Sequence, residues 1–138
     1  MLRVTICQDE MAANLSAGVA HTAALARRAA ADGAQLIVFP ETWLPGYPAW
    51  LDVCRDVALW DNAQVKAVYA RMAAESVPIP GDACDALSDI ARDTKAALVV
   101  GVVERVAGGR GAGTLYNAVL TFGPDGRLLN HHRKLVPT

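Results

Sequence analysis

A carboxylate near the first third of the chain has the surroundings of a catalytic base. Glu41 comes directly after an apolar run, residues 35–39, which is typical of a buried strand. In open α/β sheets ligands bind at the carboxyl ends of strands, so we expect Glu41 at such an edge. Trp43, Tyr47 and Trp50 follow closely and predict a dry aromatic pocket, which would raise the pKa of the carboxyl and make it a usable base. The alternative is a surface carboxylate beside a proline-rich turn.

A basic cluster, His131-His132-Arg133-Lys134, forms the second candidate. The two histidines are adjacent, so their rings do not readily face one metal ion, and we predict no metal site. Lys134 precedes two apolar residues. A lysine in such a partly dry place puts a fixed positive charge where negative charge develops during a reaction. The alternative is a solvated hairpin end or a weak anion site.

Three cysteines are present, an odd number at wide spacings and without a Cys-x-x-Cys pair. This pattern favours reduced thiols over a disulfide framework or a zinc ribbon. Cys7 lies in a strand-like segment and is expected in the core. Cys84 lies near a helix start beside Asp82 and Asp85, whose charges disfavour a thiolate. Cys54 follows the proline-rich loop and is expected to line the substrate pocket rather than to act as a nucleophile.

Composition limits the class of protein. The chain has 138 residues, of which 53% are hydrophobic and 20% charged, with a net charge of −1. That length and balance are typical of one globular domain and argue against a general electrostatic grip on nucleic acid or on an anionic membrane. The longest apolar run, residues 96–103, is far shorter than the roughly 20 residues that span a bilayer. With no signal-peptide pattern at its start, we expect a cytoplasmic protein.

Strand-like and helical segments alternate along the chain, which predicts an α/β architecture with helices covering a sheet. Strands are expected at residues 2–8, 35–39, 97–106, 115–122 and 127–130, and helices at residues 14–32, at residues 61–75 and after a cap at Asp82. Val65, Val68, Tyr69 and Met72 predict a buried face on the second helix. The Gly-Pro-Asp-Gly sequence at residues 123–126 predicts a hairpin between the last two strands.

The two candidate segments together resemble a known family. Residues 39–48, Phe-Pro-Glu-Thr-Trp-Leu-Pro-Gly-Tyr-Pro, resemble the segment around the catalytic glutamate of the nitrilase (carbon–nitrogen hydrolase) superfamily. Residues 132–138, His-Arg-Lys-Leu-Val-Pro-Thr, are similar to its lysine motif. Three stretches between them resemble the strands and hairpin before that lysine: residues 99–104, 115–118 and 122–126. The resemblance covers essentially the whole chain. The form of the first motif, with Trp50 just after it, looks closest to the true nitrilase branch rather than to the amidase or carbamoylase branches.

The resemblance implies a Glu–Lys–Cys triad. A cysteine thiolate would attack a nitrile or amide carbon to form a thioimidate or thioester that water resolves. By matching motifs, Glu41 would be the general base and Lys134 would stabilise the negative charge of the addition intermediates. No metal or organic cofactor is implied. The nucleophilic cysteine would lie beyond Thr138, so we expect the 138-residue chain alone to be inactive.

The resemblance also implies an architecture, half of a four-layer α-β-β-α nitrilase-type sandwich. Residues 1–138 would be the N-terminal part of a single carbon–nitrogen hydrolase domain. A small-molecule nitrile as substrate and a homo-oligomer are expected, with neither nucleic acid nor membrane as partner. The alternatives are an amidase of the same superfamily, or a catalytically inactive fragment or stand-alone binding or assembly module of the same fold.

Overall fold

A mixed six-stranded sheet forms the centre of the computed structural model, which describes residues 1–59 and 61–136. Its strands are β1 (Val4–Ile6), β2 (Leu36–Val38), β3 (Val77–Pro78), β4 (Ala97–Arg105), β5 (Leu115–Phe122) and β6 (Leu128–Arg133). Their order is β1-β2-β4-β5-β6, and β3 also pairs with β4. The pairs among the first four strands are parallel, whereas β5 and β6 are antiparallel to their neighbours.

The helices are α1 (Leu15–Ala31), α2 (Trp50–Val53), α3 (Ala63–Glu75) and α4 (Asp82–Thr94). The side chain of Asn14 caps α1 by accepting a hydrogen bond from the Ala17 N–H. Gly33, with a φ of +84°, follows its end. Both features confirm the predicted helix. Asp82 does not cap α4, because it is the first residue of the helix and Gly81 is the N-cap. Among the described residues, no helix is both long and apolar enough to cross a membrane.

One face of the sheet is covered by helices. α1 and α4 pack against each other and, with the sheet, bury the core. The fully buried core side chains include Ala26, Ile37, Leu87, Leu98, Val100, Val102 and Leu120. Thr5 of β1 pairs with Ile37. Val4 and Ile6, on either side of Thr5, therefore point to the opposite face of the sheet, where both are exposed. The period-two pattern of β1 therefore marks a face that the described part of the chain leaves open.

The predicted burial of one face of α3 is wrong for this chain. α3 has no buried residue, and Val68 and Tyr69 are exposed. The C-terminal half of α3 makes polar contacts to the start of α1 and the residue before its cap. There the Glu75 carboxylate accepts a hydrogen bond of 2.8 Å from the Leu15 N–H, one of the unpaired donors at the N-terminus of α1.

The last hairpin was predicted correctly, but its second strand is longer than expected. Gly126 donates its N–H to the Gly123 carbonyl at 2.8 Å and has a φ of +82°, which closes the turn. β6 then continues to Arg133, which pairs with Ala118 of β5. The His131–Arg133 segment is therefore paired with β5 in the sheet, and its residues are exposed, as the alternative of a solvated hairpin end predicts.

Candidate active site

The segment that carries Glu41 crosses directly over strand β4. Leu44 hydrogen-bonds to β4 on both sides: its N–H donates to the Gly101 carbonyl at 3.3 Å, and its carbonyl accepts from the Val103 N–H at 2.7 Å. A Cβ atom on Gly101 would stand 2.3 Å from the Pro40 oxygen and 2.6 Å from the Glu41 Cα. Only glycine permits this approach, so the crossing fixes where Glu41 stands on the sheet.

Two side chains hold the Glu41 carboxylate. Lys134 follows β6 directly, and its Nζ donates to Glu41 Oε1 at 3.1 Å. Asn117 of β5 donates to the same oxygen through its side-chain amide. Asn117 also accepts the backbone N–H of Lys134 at 2.8 Å. Three segments that are far apart in the sequence therefore meet at one point, on the sheet face opposite the buried Ala118.

These contacts set the charge of the carboxyl group. The hydrogen bond from Lys134, followed by that from Asn117, lowers the pKa of Glu41, while partial burial opposes them. The Glu41 side chain is 57% exposed and that of Lys134 is 40% exposed. The expectation that aromatic walls raise this pKa is therefore wrong, because hydrogen-bond donors and not rings surround the carboxylate. Glu41 is ionised at neutral pH and can accept a proton.

A cavity of about 420 Å³ opens in front of this pair. Its lining consists of Glu41, Asn117, Ala118, Val119, His132, Lys134, Leu135 and Val136. The polar groups converge at one end, while aliphatic side chains form much of the remaining wall. Such a combination orients a small molecule at a reactive carboxylate. Pro137 and Thr138, the end of the predicted lysine motif, lie outside the described residues.

Trp43 does not line this cavity. Its side chain is buried between the sheet and α1, where the indole Nε1–H donates to Thr22 Oγ1 at 2.8 Å. The ring stacks on His21 with a centroid distance of 5.7 Å and packs against Phe39 at 5.2 Å. Trp43 thus anchors the loop after Glu41 to the core.

The other three predicted pocket residues lie around neighbouring cavities. Tyr47 and Trp50 line a cavity between their loop and α3, and Cys54 lines an adjoining one together with Trp50. The Tyr47 hydroxyl donates to the Asp52 carboxylate at 3.2 Å, which raises the pKa of Tyr47. The charge of Glu41 also raises the pKa of Tyr47, and the charge of Lys134 opposes this effect. None of the three lines the cavity beside Glu41.

The sequence analysis missed an ionic cluster around the buried Glu104, on the helix-covered face of the sheet. Glu104 is 1% exposed and accepts hydrogen bonds from Arg133 at 2.7 and 2.9 Å and from His131 at 2.8 Å. Burial alone would raise the pKa of Glu104, but these bonds outweigh it and the pKa is lowered. The Arg133 guanidinium also lies 4.2 Å from the ring centroid of Tyr116. The sequence signal for this cluster was Glu104 itself, because an acidic side chain at a core-facing position of an apolar strand needs a charged or hydrogen-bonding partner.

The cysteines behave as structural residues where they are buried. Cys7 and Cys84 are 8% and 7% exposed, as expected for core positions, and burial raises the pKa of both thiols. The Asp85 carboxylate raises that of Cys84 further, which is the direction expected from its acidic neighbours. All three cysteines are free thiols.

Comparisons with known proteins identify the family of this chain. The carbon-nitrogen hydrolase family pattern matches residues 3–137, and the chain belongs to this family. It is 38% identical over 83% of its length to Nitrilase 2 from an unknown prokaryotic organism, covering 34% of that protein. It is 33% identical over 99% of its length to Nitrilase 1 of Arabidopsis thaliana, covering 38% of that protein.

Solved structures show the same fold. An amidase of the nitrilase superfamily from Nesterenkonia AN1 superposes with a TM-score of 0.64 at 21% identity, over 99% of this chain and 44% of that one. The layer of helices and the sheet correspond to half of the four-layer α-β-β-α sandwich predicted from the sequence. The chain spans about a third of the length of the curated relatives named above.

Proposed function

We propose that this chain belongs to a nitrilase that converts a nitrile into a carboxylic acid and ammonia. The observation that carries the proposal is the contact of 3.1 Å between Lys134 Nζ and Glu41 Oε1 at the wall of an open cavity. The two residues stand in motifs of the carbon-nitrogen hydrolase family, and related proteins at 33% and 38% identity are named nitrilases. Glu41 acts as general base and Lys134 as the fixed positive charge.

The proposed reaction needs a thiol nucleophile. A free thiol with a pKa of about 8.5 is mostly protonated at pH 7 and needs a base. Its proton moves to Glu41, so that an O–H bond forms as the S–H bond breaks, while the sulfur electron pair adds to the nitrile carbon. The nitrile nitrogen then takes up this proton and gives a thioimidate. One water releases ammonia and leaves a thioester, and a second water releases the acid and regenerates the thiol.

Each residue of the proposed pair has a state suited to this task. Glu41 is ionised at neutral pH, since its pKa is lowered, and an ionised carboxylate can accept the thiol proton. Lys134 places its ammonium group beside the cavity, where negative charge develops on the substrate nitrogen and later on oxygen. Cys7 and Cys84 are buried, and Cys54 lines a different cavity. We therefore assign the nucleophile to a cysteine outside this chain, so that the chain alone is inactive.

The proposed enzyme is larger than this chain. Residues 1–138 form the N-terminal part of a single carbon–nitrogen hydrolase domain in this proposal. Two observations support it: the aligned segments make up only 34% and 38% of the two relatives, and Val4 and Ile6 expose apolar surface on the open face of the sheet. Covering that face would also dry the site and strengthen the interaction of Glu41 with Lys134.

The same proposal includes a substrate class, an assembly and a location. We propose a small-molecule nitrile as substrate, bound in the cavity lined by Glu41 and Lys134. The exposed Val68 and Tyr69 of α3 favour a homo-oligomer in which this surface is covered. The free thiols suit a reducing compartment, which supports a cytoplasmic location.

The test measures ammonia release from a panel of nitriles and the corresponding amides by the intact protein. We expect nitrile turnover that falls by about 10³-fold or more in Glu41→Gln and in Lys134→Ala. Lys66→Ala removes an exposed lysine paired with Asp61 and serves as the control with normal turnover. Undiminished turnover in either active-site variant would contradict the assigned roles. Turnover of amides alone would identify an amidase, and turnover of neither would identify a binding or assembly module.

A further inference from the structure

Asn117 is bonded to both residues of the proposed catalytic pair. Its side-chain amide donates to Glu41 Oε1, and its backbone carbonyl accepts the N–H of Lys134 at 2.8 Å. The Lys134 ammonium closes the ring by donating to the same Glu41 oxygen at 3.1 Å. Asn117 pairs with Val103 of β4 on one side and accepts the Lys134 N–H on the other, so its backbone is held on both sides.

The two oxygens of the Glu41 carboxylate are therefore unequal. Oε1 receives both hydrogen bonds that the described part of the chain gives to this carboxylate, one from Asn117 and one from Lys134. Oε2 receives none from the described residues. Hydrogen bonds to an ionised oxygen withdraw its lone pairs and hold the group in one orientation, which leaves the second oxygen as the better proton acceptor.

We infer that Asn117 is a positioning residue that anchors Glu41 Oε1 and leaves Oε2 to accept the proton from the nucleophile. This inference rests on the proposed function, because it assigns a task within the same reaction. Asn117 touches neither the substrate nor the transferred proton, and it acts only through Glu41. The side chain of asparagine suits the task, because its neutral amide donates a hydrogen bond without adding a charge that would compete with Lys134.

Two substitutions change the side-chain hydrogen bond of Asn117 to Glu41 and keep its backbone hydrogen bond to Lys134. Asn117→Leu keeps a similar size and the backbone bond to Lys134 but has no donor. Asn117→Asp keeps the shape and places a second carboxylate against Glu41. Asn130→Leu is the matched control, since Asn130 lies on the adjacent strand β6, is exposed, and makes no side-chain hydrogen bond to the described residues.

The first readout is the pH profile of nitrile turnover by the intact protein. Loss of a hydrogen bond to a charged group predicts a fall in kcat of about 10- to 100-fold in Asn117→Leu, with KM changed less than about threefold. The acidic limb of kcat/KM moves to higher pH, because a donor that stabilises ionised Glu41 is gone. Asn117→Asp shifts the limb further in the same direction, and Asn130→Leu leaves the profile unchanged.

The second readout does not depend on turnover. Carboxyl ¹³C NMR of glutamate-labelled intact protein, with the Glu41 signal assigned by its loss in Glu41→Gln, gives the titration of Glu41 directly. We expect a higher pKa of Glu41 in Asn117→Leu than in the unsubstituted protein and in Asn130→Leu. If no nitrile is hydrolysed but this shift is present, the proposed function fails and the anchoring of Oε1 stands.

Three results would overturn the inference. One is an unmoved Glu41 titration in Asn117→Leu, which would show that the amide does not stabilise the carboxylate. Another is a lower yield of folded protein whose remaining activity has the normal pH profile, as a purely structural role predicts. The third is an equal or higher kcat in Asn117→Leu at high pH, which would identify Oε1 as the proton acceptor.

Discussion

Glu104 and Arg133 form a bidentate ion pair that reaches across strand β5, with hydrogen bonds of 2.9 and 2.7 Å. Between the two residues, the Tyr116 ring of β5 lies 4.2 Å from the Arg133 guanidinium, and Arg133 pairs in register with Ala118. Neighbouring residues of a strand point to opposite faces. The pair therefore fixes the end of β6 from the helix-covered face of the sheet, while Lys134, the next residue, contacts Glu41 on the opposite face.

Removing the charge of Arg133 and removing the charge of Glu104 are expected to lower the free energy of unfolding by different amounts. Arg133→Met leaves Glu104, whose side chain is 1% exposed, with His131 as its remaining partner, and should lower the free energy of unfolding by about 3 kcal/mol. Glu104→Gln leaves an arginine that is 43% exposed and can turn to water, and should cost about 1–2 kcal/mol. Urea unfolding measures both. Lys66→Met, at an exposed pair, is the control and should stay within about 0.5 kcal/mol. A larger loss in Glu104→Gln would contradict this account.

The stability contributed by Glu104 should depend on pH. Its pKa in the folded protein is below the ordinary value of 4.5, so its contribution is present above that value and is lost as the pH falls through the folded pKa. We expect the difference in unfolding free energy between the unsubstituted protein and Glu104→Gln to keep its full value at pH values well above 4.5 and to shrink as the pH falls below that value. Urea unfolding at a series of pH values measures this. A difference that grows as the pH falls would show that the folded pKa is raised.

Gly101→Ala should disturb the position of Glu41. The added Cβ would stand 2.6 Å from the Glu41 Cα and 2.3 Å from a backbone oxygen, so the crossing segment must move. Overpacking of this kind costs about 1–3 kcal/mol, and turnover should fall more than stability alone explains, because Glu41 leaves Lys134. Unfolding and ammonia release are measured together. Gly108→Ala is the control, since nothing lies within 4 Å of its added Cβ. Equal behaviour of the two variants would argue against the close crossing.

Several elements could be predicted from local sequence alone. Strand β5 begins and ends where expected, at Leu115–Phe122, because its β-branched and aromatic residues precede a turn whose proline and glycines preset the dihedrals. Helix α1 carries its own start signal in Asn14. Glu41 and Lys134 were both identified from their motifs, and the structure brings them together.

What local sequence could not supply are contacts between distant residues. The pKa of Glu41 is lowered rather than raised because donors arrive from Asn117 and Lys134, which lie 76 and 93 positions later. Trp43 is only two positions from Glu41, yet its side chain lies in the core under α1. Sequence proximity to Glu41 thus did not indicate which side of the sheet a neighbour faces.

Trp43 should therefore contribute to stability and not to substrate binding. Thr22 is fully buried, accepts the Trp43 indole N–H at 2.8 Å and donates to the Gly18 carbonyl at 2.7 Å. Thr22→Val leaves that N–H unpaired in the core and should lower the free energy of unfolding by about 1–3 kcal/mol.

Thr22→Ser keeps the hydroxyl and loses one methyl group, so it is the matched control, with an expected cost of about 1 kcal/mol or less. Unfolding in urea separates the two variants. KM for nitriles should stay unchanged in both, because Trp43 lies outside the cavity lined by Glu41 and Lys134. A KM that rises in Thr22→Val while stability is unchanged would place the Trp43 ring in contact with substrate.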